Sequence, residues 1–285
     1  MYTTVHYSPF DNAVLIVQKL GRHALCGKCD VKSAFRLLPI YPGSFDLLGI
    51  KLNGYYYIDK MLPMGCSQSC SYFETFSTFL EWAVKKESGS KDVDHYLDDF
   101  FFAGKEGTEN CKVLMDSFST VCKRLNVPVA DEKTEGPCTV IEYLGLTIDT
   151  DEMVVKIPID KIDELKEKIN FVLSKKKITL RNLQSLAGSL AFCTKALPAG
   201  RTFCRRIYAT MSKVRKPFHF FRVSHDLKAD LLVSKEFLDH YNGISFIQDE
   251  NWLSNVDLKL FTDSGVIKRL WNLFFRKMGN VAMAL

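Results

Sequence analysis

Two adjacent acids, Asp98 and Asp99, stand between apolar flanks, Val93 before them and Phe100-Phe101-Phe102 after. An ionised carboxylate is costly to bury, so a pair set among aromatic and aliphatic residues needs a compensating partner, and a metal cation is the natural one. A third acid, Asp30, sits where apolar character resumes at the end of an apparent strand. Like charges raise one another's pKa, so three such groups cluster only if cations neutralise them. Magnesium suits this set, because it prefers hard carboxylate oxygens and keeps waters and substrate phosphates in its shell. Two such ions about 3.5 to 4 Å apart activate an attacking hydroxyl and stabilise a leaving pyrophosphate. The competing reading of Asp98-Asp99 is a solvated acidic turn, a common use of Asp.

The elements that must position these acids are read from periodicity. Val93 and Phe100-Phe102 predict two strands with the acids at the tip of a hairpin. Residues 29–58 predict sheet, including a hairpin in which Asn53-Gly54 joins Leu47–Leu52 to Tyr55–Ile58. Ala13–Val17 predicts a short helix. Leu62-Pro63-Met64-Gly65 breaks the chain before a helix over Cys70–Lys85, whose Phe73, Phe76, Phe79, Leu80 and Ala83 predict a core face. A loop over Lys85–Lys91 follows. Beyond the acidic hairpin come a helix through Val113, Phe118 and Leu125, a turn at Gly136-Pro137, and a hairpin pairing Val140–Ile148 with Met153–Ile157. The order of strands and helices predicts an α+β fold with an antiparallel sheet and packed helices.

From Pro158 the pattern turns helical. Ile162, Leu165, Ile169 and Val172 form one stripe, Thr179 caps a second helix carrying Leu183, Leu186 and Leu190, and Gly200 precedes a third through Phe203 and Ile207. This segment is also where the charge lies. Lys161 to Arg222 holds 15 Lys and Arg against three acids, a balance of +12 that leaves −7 for the rest of a chain whose total is +5. A basic arm beside an acidic body suits a protein that holds cations in one place and a polyanion next to it. A solvated basic helical face is the plainer alternative.

The nine cysteines are scattered and read as reduced intracellular thiols; Cys26-Gly-Lys-Cys29 lacks a second pair at zinc-ribbon spacing and reads as two buried thiols. No run approaches the ~18 apolar residues that span a bilayer, and Met1–Leu20 lacks the layout of a signal peptide. The expectation is an intracellular protein, cytoplasmic or nuclear, with no membrane partner.

At these residues the chain resembles a known family. Asp30-Val31-Lys-Ser-Ala-Phe35, Leu62-Pro63-Met64-Gly65, Tyr96-Leu97-Asp98-Asp99, Lys133 and Tyr143-Leu144-Gly145 are similar, in order and spacing, to the successive palm motifs of reverse transcriptases. Pro63 to Cys70 is similar in particular to retrotransposons of the DIRS class, which carry a tyrosine recombinase. The resemblance covers roughly residues 10–263 and implies an RNA-directed DNA polymerase using two Mg²⁺ ions, deoxynucleoside triphosphates, an RNA template and a DNA primer. It implies that Asp30 and Asp98 bind both ions, helped by the Val31 carbonyl, with Asp99 beside them. Ser33 and Ala34 would offer backbone donors to the triphosphate, Phe35 would gate against a ribose 2′-hydroxyl, and Met64 and Gly65 would pack near the new base pair. Lys133 would be the proton donor to pyrophosphate and Tyr143-Leu144-Gly145 the primer grip. Lys175, Lys176, Lys177, Arg181, Arg201, Arg205 and Arg206 would contact an RNA/DNA duplex.

The implied organisation is a palm with partial fingers over 1–157, a helical thumb over 158–222, a connection over 223–255, and over 256–285 a truncated ribonuclease H-like start and tail. Two departures from the family bear on activity. The basic fingers hairpin that clamps the triphosphate in the family precedes the region where this sequence starts, and its loss would be severe. Leu258–Ser264 resembles the first strand of a ribonuclease H domain, yet no Asp or Glu follows Asp263, so no ribonuclease H activity is expected. An amphipathic helix built on Leu270, Phe274 and Phe275 is the other reading of the tail. The alternative to an active polymerase core is a catalytically inactive, nucleic-acid-binding remnant of a retroelement.

Overall fold

The structure is a computed structural model. It describes residues 5–248, apart from 197–199, 213–215 and 217, together with the short strands Phe261–Asp263 and Asn272–Phe274. The fold is α+β, as expected. In chain order the first elements are α1 (Phe10–Leu20), β1 (Leu25–Asp30), β2 (Gly49–Leu52), β3 (Tyr55–Ile58) and α2 (Ser69–Ser88). The acidic hairpin follows as β4 (Val93–Tyr96) and β5 (Asp99–Gly104), and then come α3 (Asn110–Arg124), β6 (Glu135–Cys138), β7 (Val140–Tyr143), β8 (Leu146–Asp149) and β9 (Val154–Lys156). The later elements are α4 (Ile159–Ser174), β10 (Lys177–Thr179), α5 (Leu180–Ala196), α6 (Arg201–Met211), β11 (Phe220–Arg222), α7 (His225–His240) and β12 (Ile244–Phe246).

The central antiparallel sheet has the order β4-β5-β1-β6. Alternation along β5 builds the core on both of its faces. Phe101 and Ala103 join α1, the β7–β9 strands and the helices beyond. Phe100 and Phe102 point the other way, into α2 and α3, where Phe118 stacks on both rings at 4.6 and 5.5 Å. All three phenylalanines are fully buried, and each such burial stabilises by roughly 1.5–3 kcal/mol. The sheet ends that carry the acids are therefore clamped between two cores.

A second sheet, β12-β9-β8-β7, flanks the first. The helical stripe Ile162, Leu165, Ile169 and Val172 of α4 is buried as expected, and so are Leu183, Leu186 and Leu190 of α5. Thr179 sits at the start of α5 and accepts the Asn182 amide on its hydroxyl at 3.3 Å. α7, which follows the expected thumb, packs with α4 and α6, and β12 pairs with β9. The strands β13 (Phe261–Asp263) and β14 (Asn272–Phe274) pair with each other in a separate unit that spans 248–285. Asn272–Phe274 is thus strand, so the helical reading of the tail fails there; Leu270, Phe275, the rest of 264–285 and the Phe203 side chain lie outside the described residues.

Several expectations need correction. Residues 34–48 are not sheet: Ser33 turns the chain at φ 57°, and short 3₁₀ helices run over Ala34–Leu37 and Pro42–Leu48, the second with Pro at its start. α2 continues to Ser88, so the loop expected from Lys85 begins only at Gly89, whose left-handed φ of 71° closes the helix onto the Lys85 carbonyl at 3.0 Å. Phe79 is exposed at 44%, while the polar Glu74 and Ser77 of the same helix are buried. Gly136-Pro137 is not a turn but the middle of β6; β6 is a sheet edge, where a missing N–H is tolerated. The run Val140–Ile148 is not one strand: Leu144 and Gly145, at φ 49° and 78°, fold it into the β7–β8 hairpin.

Candidate active site

β1 and β5 run antiparallel in a register that sets Asp30 directly opposite Asp99. Asp98 is held in the turn between β4 and β5, where Leu97 takes φ 53°. The Asp98 carbonyl accepts the Val31 N–H at 3.0 Å. From the other side, the Asp30 carbonyl accepts the Ala130 N–H at 2.9 Å, and Lys133 follows on a single 3₁₀ turn, Asp131–Lys133. Lys133 Nζ lies 2.8 Å from Asp30 Oδ2. The three acids and the lysine are thus gathered by three separate segments of chain.

A hollow of about 570 Å³ opens over this junction. It is lined by Asp30, Asp99, Lys133 and Tyr143-Leu144-Gly145, together with Lys28, Glu132, Glu135 and Glu142. Lys28, two residues before Asp30 and so on the same strand face, ties the wall together: its Nζ is 2.8 Å from the Glu142 carbonyl and 2.8 Å from Glu135 Oε2. Tyr143 buries its ring 5.1 Å from Phe101 and reaches the Asp99 carbonyl with its hydroxyl at 3.5 Å.

Burial, followed by the charges of Asp98 and Asp30, pushes Asp99 up to about 6 against the opposing pull of Lys133 and Lys28. Burial is the main cause that raises Asp98 too, with Asp30 adding to it. The Asp30 hydrogen bond raises Lys133. An excess of carboxylate that Lys133 and Lys28 only partly offset is oxygen-donor chemistry of the kind that suits a hard divalent cation. Among the described residues no three His, Cys, Asp or Glu side chains are grouped so as to hold a metal ion. That is compatible with magnesium, which takes one or two carboxylates and fills its shell from water and phosphate.

Other expected site residues fall elsewhere. Ser33 is exposed, Ala34 is buried, and Phe35 packs its ring 5.1 Å from Phe73. Met64 is 72% exposed and Gly65 sits at φ 86°, and neither lines the hollow. Lys175, Lys176, Lys177 and Arg181 are exposed around β10 and the start of α5, with Lys177 paired to Arg222 of β11. Arg201, Arg205 and Arg206 are exposed on α6, but Arg201 lies 3.3 Å from Asp11, and Arg206 contacts Asp226 and Asp230 at 3.5 and 3.1 Å. Cys26 and Cys29 are free, buried thiols, as expected.

Residues 4–148 match the family described as reverse transcriptase (RNA-dependent DNA polymerase). The chain belongs to the reverse transcriptase family. This reverse transcriptase chain is 22% identical over 219 residues to the Pro-Pol polyprotein of feline foamy virus, covering 77% of itself and 17% of the polyprotein. It is 24% identical over 158 residues to the Gag-Pro-Pol polyprotein of Human T-cell leukemia virus 3, covering 55% of itself and 10% of that protein. Its fold is similar to the foamy viral protease-reverse transcriptase dRH in complex with double-stranded DNA, with TM-score 0.60, 18% identity, and coverage of 87% of this chain and 40% of that one. It is also similar to the foamy viral enzyme in complex with an RNA/DNA hybrid, with TM-score 0.57, 18% identity, and coverage of 87% and 30%. The reverse transcriptase chain therefore spans a small part of the relatives it matches. Among the described residues no helix is long and apolar enough to cross a membrane.

Proposed function

We propose that this chain is the RNA-directed DNA polymerase core of a retroelement, extending a DNA primer on an RNA template with deoxynucleoside triphosphates. The observation that carries the reading is the β1–β5 register, which sets Asp30 against Asp99 and brings Asp98 to the Val31 amide. Reverse transcriptases work with divalent metal ions. Here Asp30 and Asp98 would hold two Mg²⁺ ions, with the Val31 carbonyl and Asp99 beside them. Bound there, the ions would supply charge neutralisation for the primer hydroxyl and the leaving pyrophosphate.

The chain's own groups have the remaining tasks. Lys133, exposed and anchored on Asp30, would give a proton to pyrophosphate. Ser33 and Ala34 would present backbone N–H groups to the triphosphate. Phe35, braced by Phe73, would crowd a ribose 2′-hydroxyl. Met64 and Gly65 would lie near the new base pair. Tyr143-Leu144-Gly145, at the β7–β8 turn on the rim of the hollow, would grip the primer. Lys175, Lys176, Lys177, Arg181 and Arg205, with Arg201 and Arg206 after release from their acids, would follow the duplex phosphates without reading sequence. In this reading 1–157 is palm with partial fingers, 158–222 thumb and 223–255 connection. The Pro63–Cys70 run supports a DIRS-type element as the source.

Asp98→Asn should abolish primer extension while leaving duplex binding in place. Template-dependent incorporation unaffected by that substitution refutes the assignment. A second reading, a nucleic-acid-binding remnant, draws on the Lys133–Asp30 pair and the unclosed acid set. Salt-sensitive binding to an RNA/DNA duplex without incorporation selects it.

A further inference from the structure

Behind the acidic hairpin lies a cluster of buried charge that the hollow does not use. Glu74, Ser77 and Glu81 fall on one face of α2, three and four residues apart, and His95 of β4 inserts between the two glutamates. His95 is 4% exposed, Glu74 9% and Ser77 0%. His95 Nδ1 is hydrogen-bonded to Glu81 Oε2, and its Nε2 lies 3.3 Å from Glu74 Oε1. Glu81 also pairs with Lys85, and the imidazole stacks 5.5 Å from Phe100. On the opposite face of β4, Ser8 donates to the Asp94 carboxylate at 2.6 Å.

The energetics argue that this cluster is kept for geometry. Replacing a buried ionic set by well-packed apolar residues is often neutral or stabilising, whereas removing one member leaves a costly unpaired charge. Three of its atoms, Glu74 Oε2, Ser77 Oγ and His95 Nε2, have no hydrogen-bond partner among the described residues, an arrangement that a purely apolar core would avoid. Burial raises the Glu74 pKa, against the opposing effects of the His95 charge and the Leu97 amide. Leu97 holds a left-handed φ of 53°, which costs a residue with a side chain about 1–2 kcal/mol and persists only where the surroundings impose it. Burial works against charge on His95, but the Glu81 hydrogen bond and the charges of Glu81, Glu74 and Asp94 outweigh it and raise its pKa.

We propose that His95, clamped between Glu81 and Glu74, is a positioning residue that locks α2 to the hairpin and thereby fixes where Asp98 and Asp99 stand. Its effect on turnover rests on the polymerase reading; its effect on the hairpin does not. The test is His95→Gln, which fills the same space without supplying a cation. Single-nucleotide incorporation on a DNA-primed RNA template should lose more than tenfold in kcat, with the KM for deoxynucleotide and the Kd for duplex within twofold. Adding Glu81→Gln to His95→Gln should cost less than threefold more, because the pair acts as a unit. Amide hydrogen exchange over 93–104 should speed up at least tenfold while 110–124 in α3 keeps its protection. Wild-type kcat together with wild-type exchange in 93–104 overturns the proposal. If His95→Gln loses protection everywhere, Glu81→Gln is read by the same two measurements, and unchanged exchange over 93–104 overturns it. A wild-type chain that incorporates nothing defeats the polymerase reading, and the exchange measurement still decides the clamp.

Discussion

Gly136→Ala tests whether the edge strand β6 holds the acid-bearing strand β1 in place. A Cβ built on Gly136 would stand 2.4 Å from the Cys26 carbonyl oxygen and 2.7 Å from Gly27 Cα, both backbone atoms that no rotamer change can move. Gly136 also sits at φ 103°, where a side-chain-bearing residue pays on the order of 1–3 kcal/mol. Relief requires β6 to move off β1, loosening the Cys26–Cys138 and Lys28–Glu135 pairings at roughly 1 kcal/mol net for each hydrogen bond lost. The sum is about 3–5 kcal/mol, or a Tm fall of about 6–20 °C for a body of this size. Gly27→Ala is the matched control. Its Cβ would meet the flexible Met115 side chain, with Sδ at 2.4 Å, Cε at 3.2 Å and Cγ at 3.3 Å, and no backbone atom among these three nearest, so its cost should be less than half as large. Thermal unfolding followed by circular dichroism reads both. A Gly136→Ala midpoint within 2 °C of wild type, or a Gly27→Ala loss as large as that of Gly136→Ala, refutes the reasoning.

Lys133→Ala removes an ion pair whose lysine is 61% exposed, so the Tm should stay close to wild type while incorporation drops on the order of 10²-fold or more; a large Tm loss with retained incorporation would make the lysine a structural strut instead. Asp149 accepts the Asp151 and Glu152 amides and pairs with Lys156 at 2.7 Å, and it is buried, so Asp149→Ala should cost about 2–3 kcal/mol. Despite the opposing effect of burial, the Lys156 bond and the two amides hold the Asp149 carboxyl below its ordinary value. Its contribution is therefore present above the unfolded pKa of about 3.9 and lost as pH falls through the lower folded value, so the gap to the variant should close below about pH 4 in urea titrations. Replacing Lys175, Lys176 and Lys177 by Gln should reduce the salt slope of duplex binding by up to about 2.7, equally for unrelated sequences; an unchanged slope places the duplex elsewhere.

The parts of this fold set by short-range chemistry were legible in the residues. Asn53-Gly54, the hairpin around Asp98 and the stripe of α4 each follow from a local period or a turn preference, and the structure holds all three. What escaped was decided by neighbours distant in sequence. Pro137 reads as a turn until β6 is known to be an edge strand of the sheet. Val140–Ile148 has a continuous β-like composition, and only Gly145 marks the break that makes the β7–β8 hairpin. In the hollow, Asp30 with Asp99 was legible, but Lys28, Glu135 and Glu142 were not, since their meeting depends on the β1–β6 pairing and on β7. Lys28 did carry a signal: at two residues before Asp30 it had to share that strand face. Glu74 and His95 carried none, because a charged residue on an aromatic helix and a histidine in a strand each look like surface until the helix is seen lying against the strand.

The acidic hairpin is thus held under opposing electrostatic demands on its two sides. In front, three carboxylates repel one another, and the nearest cation, Lys133, is exposed to solvent and weakened by screening. That side is costly without added positive charge, which is the demand that the proposed divalent ions would meet. Behind, Glu81 pairs with both Lys85 and His95, and Glu74 Oε1 lies 3.3 Å from His95 Nε2, so the rear is tied to α2 by contacts within the protein. A turn carrying repelling acids would relax away from them if its rear were only apolar and deformable. A charge-assisted hydrogen bond such as that of His95 to Glu81 fixes both distance and direction, and so resists that relaxation where a Leu or Phe contact would slide. The proposed clamp at the rear would therefore let the acids at the front stand together despite their repulsion.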